Sequence, residues 1–114
     1  MSISYDDIGE NLRRIAISGN LDMAGTDAVA PQLVELAAAP KKGVVVDLSA
    51  VRFLGSIGIR ALLISAKAVQ QRGGKMVLVV SGGSTVNMSL RATGIDELIP
   101  VFSNASDAER AAVA

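Results

Sequence analysis

The sequence contains neither cysteine nor histidine, and these two absences exclude several kinds of functional site. Without cysteine the chain cannot form disulfides, thiolate metal sites or a cysteine nucleophile. Without histidine it lacks the commonest general base and cannot assemble a Ser-His-Asp triad. We therefore predict no metal site, no cofactor and no enzymatic activity.

Aromatic residues and net charge are also scarce. The 114 residues include one tyrosine, two phenylalanines and no tryptophan, and 11 basic residues balance 11 acidic ones. A base-stacking platform needs aromatic side chains, and nucleic acids and anionic membranes attract cationic surfaces. The longest apolar runs, such as residues 76–80, are too short to span a bilayer, and the N-terminal residues lack a signal-peptide pattern. We expect a cytoplasmic protein with one domain over residues 1–114 that binds neither nucleic acid nor membrane.

Apolar residues alternate along the chain between the two-residue period of strands and the helical period. This pattern predicts an N-terminal hairpin followed by alternating helices and strands, hence an α/β fold with a mixed, mostly parallel sheet of about five strands and about four helices. Pro31 makes the start of the first helix irregular, and Pro100 places the last strand at the sheet edge. The predicted strands are 3–8, 12–18, 43–48, 75–80 and 98–102, and the predicted helices are 26–38, 57–71, 85–93 and one that Ser106 and Glu109 cap.

The segment from Asp47 to Gly58 is the most informative part of the sequence. A buried strand leads through a short connection to Ser56, which lies where a helix begins. Two interpretations of Ser56 remain open: it caps the helix, or it is an exposed phosphoacceptor. The flanking glycines suit a tight turn and allow another backbone to come close. For Asp47 we favour a local cap of the turn that follows it.

Four stretches in this order resemble the STAS domain family of bacterial anti-sigma factor antagonists, and together they cover nearly the whole chain. Ser18–Asp22 is similar to the family's Gly-x-Leu-Asp turn, and Val44–Phe53 is similar to its central strand. Leu54–Leu63 resembles the family's Asp-Ser-x-Gly-Leu helix start, and the fourth stretch consists of residues 73–80 with residues 93–98. The family's aspartate before the serine is Gly55 in this chain.

The resemblance implies a regulatory protein without catalysis, which takes part in transcription regulation by partner switching. Such a protein binds an anti-sigma factor, often a serine protein kinase, and thereby releases a sigma factor. The kinase phosphorylates the motif serine, here Ser56, and a phosphatase reverses the modification. The implied partner-binding residues lie at two neighbouring helix starts and are Asp22, Met23, Ala24, Gly25, Gly55, Ser56, Ile57, Gly58 and Arg60.

Two alternatives to partner switching remain. The first alternative is a constitutive STAS adaptor subunit of a transport or stress-signalling complex, an interpretation that Gly55 favours. The second is a small hydrolase. A hydrolase without histidine would need a serine and a lysine, but Lys67 lies three turns from Ser56 on the same predicted helix. No sequence motif links any other lysine to Ser56.

Overall fold

The computed structural model describes residues 2–114, so that Met1 of the predicted 1–114 domain lies outside the described residues. Its strands form one sheet in the order β1-β2-β3-β4-β5, in which β1 and β2 are antiparallel and the other neighbours are parallel. The predicted α/β fold class is confirmed. The strands are β1 Ser2–Ile8, β2 Leu12–Leu21, β3 Gly43–Leu54, β4 Lys75–Val79 and β5 Val101–Phe102, and the helices are α1 Met23–Ala37, α2 Ser56–Gln71, α3 Thr85–Thr93 and α4 Ala105–Ala112.

Helices cover both faces of the sheet. Val44 and Val46 of β3 point to the face that α1, α2 and α3 cover, whereas Val45 between them points to α4. All three valines are fully buried, as the continuous apolar run in this central strand predicts. No helix within residues 2–114 is long and apolar enough to cross a membrane.

Strands β2 and β3 are longer than predicted, and this extension positions the candidate site. We predicted that they end at Ser18 and Leu48, but they continue to Leu21 and Leu54. The parallel pairing persists through two register shifts, one of which lies between Ala16 and Ser18. Asp47 lies beside this irregularity, where its carboxylate accepts a 2.9 Å hydrogen bond from the amide of Ser49. Asp47 therefore caps a local bend, although the strand does not end there.

Helix α1 begins three residues before its predicted start. Asp22 is the N-cap and accepts a 2.8 Å hydrogen bond from the amide of Gly25, which fixes the helix start at Met23. Pro31 lies inside the helix and cannot donate to the carbonyl of Asp27. Both residues are exposed, so water can satisfy that carbonyl, and the helix continues past the proline.

The C-terminal elements differ from the prediction in two details. Strand β5 lies at the sheet edge as predicted but consists only of Val101 and Phe102, and Pro100 contributes just its carbonyl, which accepts from Leu78. The predicted Ser106 cap of α4 is wrong. The N-cap is Asn104, which accepts a 2.9 Å hydrogen bond from the amide of Asp107 and donates another to its carboxylate. This pair has the same three-residue spacing as the predicted one, and asparagine is a strong N-cap residue.

An arginine joins the N-terminal hairpin to α1. The Arg13 guanidinium makes two hydrogen bonds to the carboxylate of Asp7, at 2.7 and 3.0 Å, and donates to the carbonyl of Leu36. It also lies 4.4 Å from the ring centre of Tyr5. Its hydrogen bonds hold the pKa of Asp7 below the usual value for an aspartate. These contacts fix the outer strand β1 against the first helix.

One buried hydroxyl in α2 gives a stability prediction. Ser65 is fully buried, and its Oγ has no hydrogen-bond partner among residues 2–114. Because an unsatisfied buried hydroxyl is costly, Ser65→Ala should raise the free energy of unfolding in urea by about 1 kcal/mol. Ser89→Ala in α3, where the residue is half-buried, is the control for helix propensity. A Ser65→Ala variant less stable than the parent would show that the hydroxyl is bonded.

Candidate partner-binding site at the start of α2

The starts of α1 and α2 lie side by side because the strands before them end together. Leu21 at the end of β2 pairs with Leu54 at the end of β3. The amide of Gly55 then donates a 3.0 Å hydrogen bond to the carbonyl of Leu21. The two helix starts that carry the implied partner-binding residues are therefore brought together.

Ser56 is the first residue of α2 and does not cap it. The N-cap is Gly55, whose carbonyl accepts from the amide of Ile59 at 3.0 Å and which supplies no side-chain cap. The interpretation of Ser56 as the capping residue is therefore wrong. Its side chain is exposed, and its Oγ makes no hydrogen bond within the described chain. This hydroxyl is accessible to another protein.

The predicted residues of the first loop divide into a structural and an exposed group. The carboxylate of Asp22 is engaged in capping α1, and Gly25 is buried in the first turn of that helix. Met23 and Ala24 between them are exposed, and Met23 keeps 70% of its accessible surface. Met23 and Ala24 therefore present side-chain surface at this helix start, whereas Asp22 and Gly25 shape it.

Gly58 brings α2 close to the end of β2. It is buried, and a Cβ atom there would lie 2.8 Å from Cβ of Leu21 and 2.9 Å from Cδ1 of Leu54. Gly55 is less constrained, since a Cβ atom there would lie 3.1 Å from the ring of Phe53, and its backbone conformation is open to other residues. Gly58 thus positions the helix, and Gly55 leaves its start without a side chain.

Exposed apolar residues flank Ser56 along the chain. Ile57 is 37% exposed and therefore adds apolar surface beside it. The sequence prediction missed Phe53, which is 50% exposed and whose ring would lie 3.1 Å from a Cβ atom added at Gly55. Strict alternation along β3 would not have identified it, because Arg52 and Phe53 are both exposed between the buried Val51 and Leu54. We call this region the Ser56 surface, and it consists of Met23, Ala24, Phe53, Ser56, Ile57 and Arg60.

Arg60 gives the Ser56 surface its charge. The residue is exposed, and it makes no ion pair or hydrogen bond in the part of the chain that the structure describes. The first turn of α2 contains no acidic residue. The unpaired N–H groups and dipole of the helix start add to the positive potential there. The surface is therefore apolar with a positive edge.

Comparisons with known proteins relate most of the chain to one family. The STAS domain family matches residues 7–108. The chain is 31% identical to the anti-sigma-F factor antagonist RsfB of Mycobacterium tuberculosis over 94 residues, which span 82% of this chain and 75% of RsfB. The family resemblance is thereby confirmed, and the four stretches that carry it all lie within the matched residues.

Solved structures agree with this assignment. The crystal structure of an anti-sigma factor antagonist from Mycobacterium paratuberculosis superposes with a TM-score of 0.85 at 28% identity, covering 97% of this chain and 94% of that one. The phosphorylated form of the Bacillus cell fate determinant SpoIIAA superposes with a TM-score of 0.69 at 12% identity, covering 96% and 99% of the chains, which shows the fold alone. On the sequence match, and with a fold that agrees, this chain belongs to the STAS domain family.

Proposed function

We propose that this protein is an anti-sigma factor antagonist that binds an anti-sigma factor through the Ser56 surface and so releases a sigma factor in the cytoplasm. The names of its relatives, RsfB and the Mycobacterium paratuberculosis protein, support this function. Both are named as antagonists of another protein, in agreement with the prediction that the chain acts by binding and not by catalysis. The observation that carries the proposal is the exposed, unbonded Ser56 hydroxyl within an apolar surface.

Phosphorylation of Ser56 would end this binding. The enzyme would be a serine protein kinase, and in one version of the proposal the anti-sigma factor is itself that kinase. A phosphoserine adds nearly two negative charges and would place them among Met23, Phe53 and Ile57, which a docked partner must cover. Desolvating a dianion at an apolar interface is costly, so the complex dissociates. A phosphatase would restore the binding-competent form.

The second candidate function is a constitutive STAS adaptor in a transport or stress-signalling complex. Gly55 is the observation that favours it, because the family's aspartate is missing beside the acceptor hydroxyl. An adaptor binds its partner through the same surface without modification. The two functions therefore differ in whether Ser56 is phosphorylated in the cell, which the intact mass of the native protein determines.

A pair of exposed methionines tests where the partner docks. Met23→Glu places a charge on the Ser56 surface and should weaken binding of the cognate anti-sigma factor at least about tenfold in calorimetry. The side chain is 70% exposed, so the fold should be retained. The anti-sigma factor is identified first by capture with the tagged protein.

Met88→Glu is the matched control for this experiment. Met88 is 65% exposed on α3, a helix that contributes no residue to the Ser56 surface, and the substitution adds the same charge. We expect the affinity of the Met88→Glu variant for the anti-sigma factor to stay within about twofold of the parent value, as for a residue outside an interface. Equal losses in both variants, or no loss in Met23→Glu, would exclude the Ser56 surface as the docking site.

A further inference from the structure

Arg60 lies where it can contact a group attached to Ser56. The two residues are four positions apart on α2, and side chains at this spacing lie on the same helix face, with Cβ atoms about 6 Å apart. Both side chains are exposed. Ion pairs within residues 2–114 engage Arg13, Lys41 and Arg110, among others, but not Arg60. Arg60 is therefore available to a new anion.

No carboxylate at this helix start competes for Arg60. The first turn of α2 contains no acidic residue, and the N-cap position is occupied by Gly55. On the neighbouring helix, Asp22 is engaged with the amide of Gly25, and Asp27 lies one turn further along α1. An aspartate in place of Gly55 would add a negative charge next to Ser56, at the same helix start as the arginine.

We propose that Arg60 is the intramolecular partner of the phosphate on Ser56, and that Gly55 keeps it free for this role. The inference rests on the proposed phosphorylation of Ser56. In the unmodified protein the guanidinium faces the docking partner. After modification it turns to the phosphate, so the switch both adds a dianion to the surface and withdraws its positive charge.

The chemistry of the two groups favours this pairing. An acidic group four residues N-terminal to a basic one is the favourable orientation of a helical ion pair. A guanidinium presents two parallel N–H groups to two phosphate oxygens in a fixed planar geometry, which a lysine ammonium lacks. The pair should therefore hold the phosphate as a dianion, and it lowers the second pKa of the phosphoserine.

The test is a ³¹P NMR titration of protein carrying phosphoserine at position 56, introduced during translation so that no kinase is needed. In Arg60→Gln the second proton dissociation constant of the phosphate should fall about twofold relative to the parent, the effect of one exposed helical pair. Arg60→Lys should restore part of the difference. Gly55→Asp should lower the dissociation constant as well, because it adds a carboxylate beside the phosphate.

Lys67→Gln is the matched control, since it removes one positive charge from the same exposed helix. Lys67 is eleven residues from Ser56, or about 16 Å along the axis, which exceeds the screening length of about 10 Å at 0.1 M salt. In the Lys67→Gln protein the second proton dissociation constant of the phosphate should equal that of the parent. Equal values in the Arg60→Gln and Lys67→Gln proteins would overturn the proposed pairing.

A binding measurement on the same samples separates this inference from the proposed function. If the titration shows the pairing but the phosphorylated protein binds the captured anti-sigma factor as tightly as the unmodified one, the pairing stands and the switch fails. If phosphorylation abolishes binding while Arg60→Gln leaves the titration unchanged, the switch stands and the role of Arg60 is refuted.

Discussion

Gly43→Ala should lower the free energy of unfolding by about 2–3 kcal/mol, because an added methyl group has no space there. Gly43 begins β3, directly under the C-terminal helix. A Cβ atom at this position would lie 2.7 Å from the carbonyl carbon of Ala112 and 2.8 Å from its Cβ. Either α4 must move off the sheet or the start of β3 must shift. Urea unfolding followed by circular dichroism measures the loss.

The size of this effect follows from the position of α4. It packs against Val45, Val77 and Val79 on the sheet face opposite to the other three helices, so displacing it exposes that side of the core. Gly82→Ala is the control, since a Cβ atom there would have no neighbour within 4 Å. It should change stability by less than about 0.5 kcal/mol. A Gly43→Ala protein as stable as the Gly82→Ala protein would contradict the packing of α4 described above.

Ser56→Asp should weaken binding of the anti-sigma factor by about tenfold to hundredfold, whereas Ser56→Ala should stay within about threefold of the parent. The carboxylate supplies a negative charge that the partner must desolvate against Phe53 and Ile57. Folding should be unaffected, because an aspartate in the first turn of a helix is favourable. Calorimetry with the captured anti-sigma factor measures both variants.

Ser106→Asp controls for the added charge. Ser106 is likewise an exposed serine in the first turn of a helix, but it lies on α4, which packs on the other face of the sheet. The affinity of the Ser106→Asp variant for the anti-sigma factor should equal that of the parent. If Ser56→Asp and Ser56→Ala bind equally well, Ser56 does not regulate the interaction, and the constitutive adaptor becomes the favoured function.

The sequence predicted the order and type of the elements because the core strands and helices have clear periods. Val44–Val46 and the spacing of Leu62, Ala66 and Val69 identify a buried strand and an amphipathic helix without tertiary information. The Ser84 cap and the Gly94 stop at the two ends of α3, which was predicted over 85–93, are local features of the same kind. Such features depend only on neighbours in the chain.

The missed features depend on contacts between distant residues. Strand β3 continues to Leu54 because β2 lies beside it and pairs with it, although local polarity suggested an end near residue 48. Gly55 rather than Ser56 caps α2 because the amide of Gly55 is bonded to Leu21 of another strand. At the site, the exposed hydroxyl and the burial of Gly58 follow from this pairing and not from the motif alone.

Switching at Ser56 is tested most directly by the affinity of the captured anti-sigma factor for two forms of one protein, with and without a phosphate on Ser56. We expect tight binding of the unmodified form and a loss of at least about tenfold on phosphorylation, which treatment with a phosphatase reverses. Equal affinities of the two forms would contradict switching at Ser56.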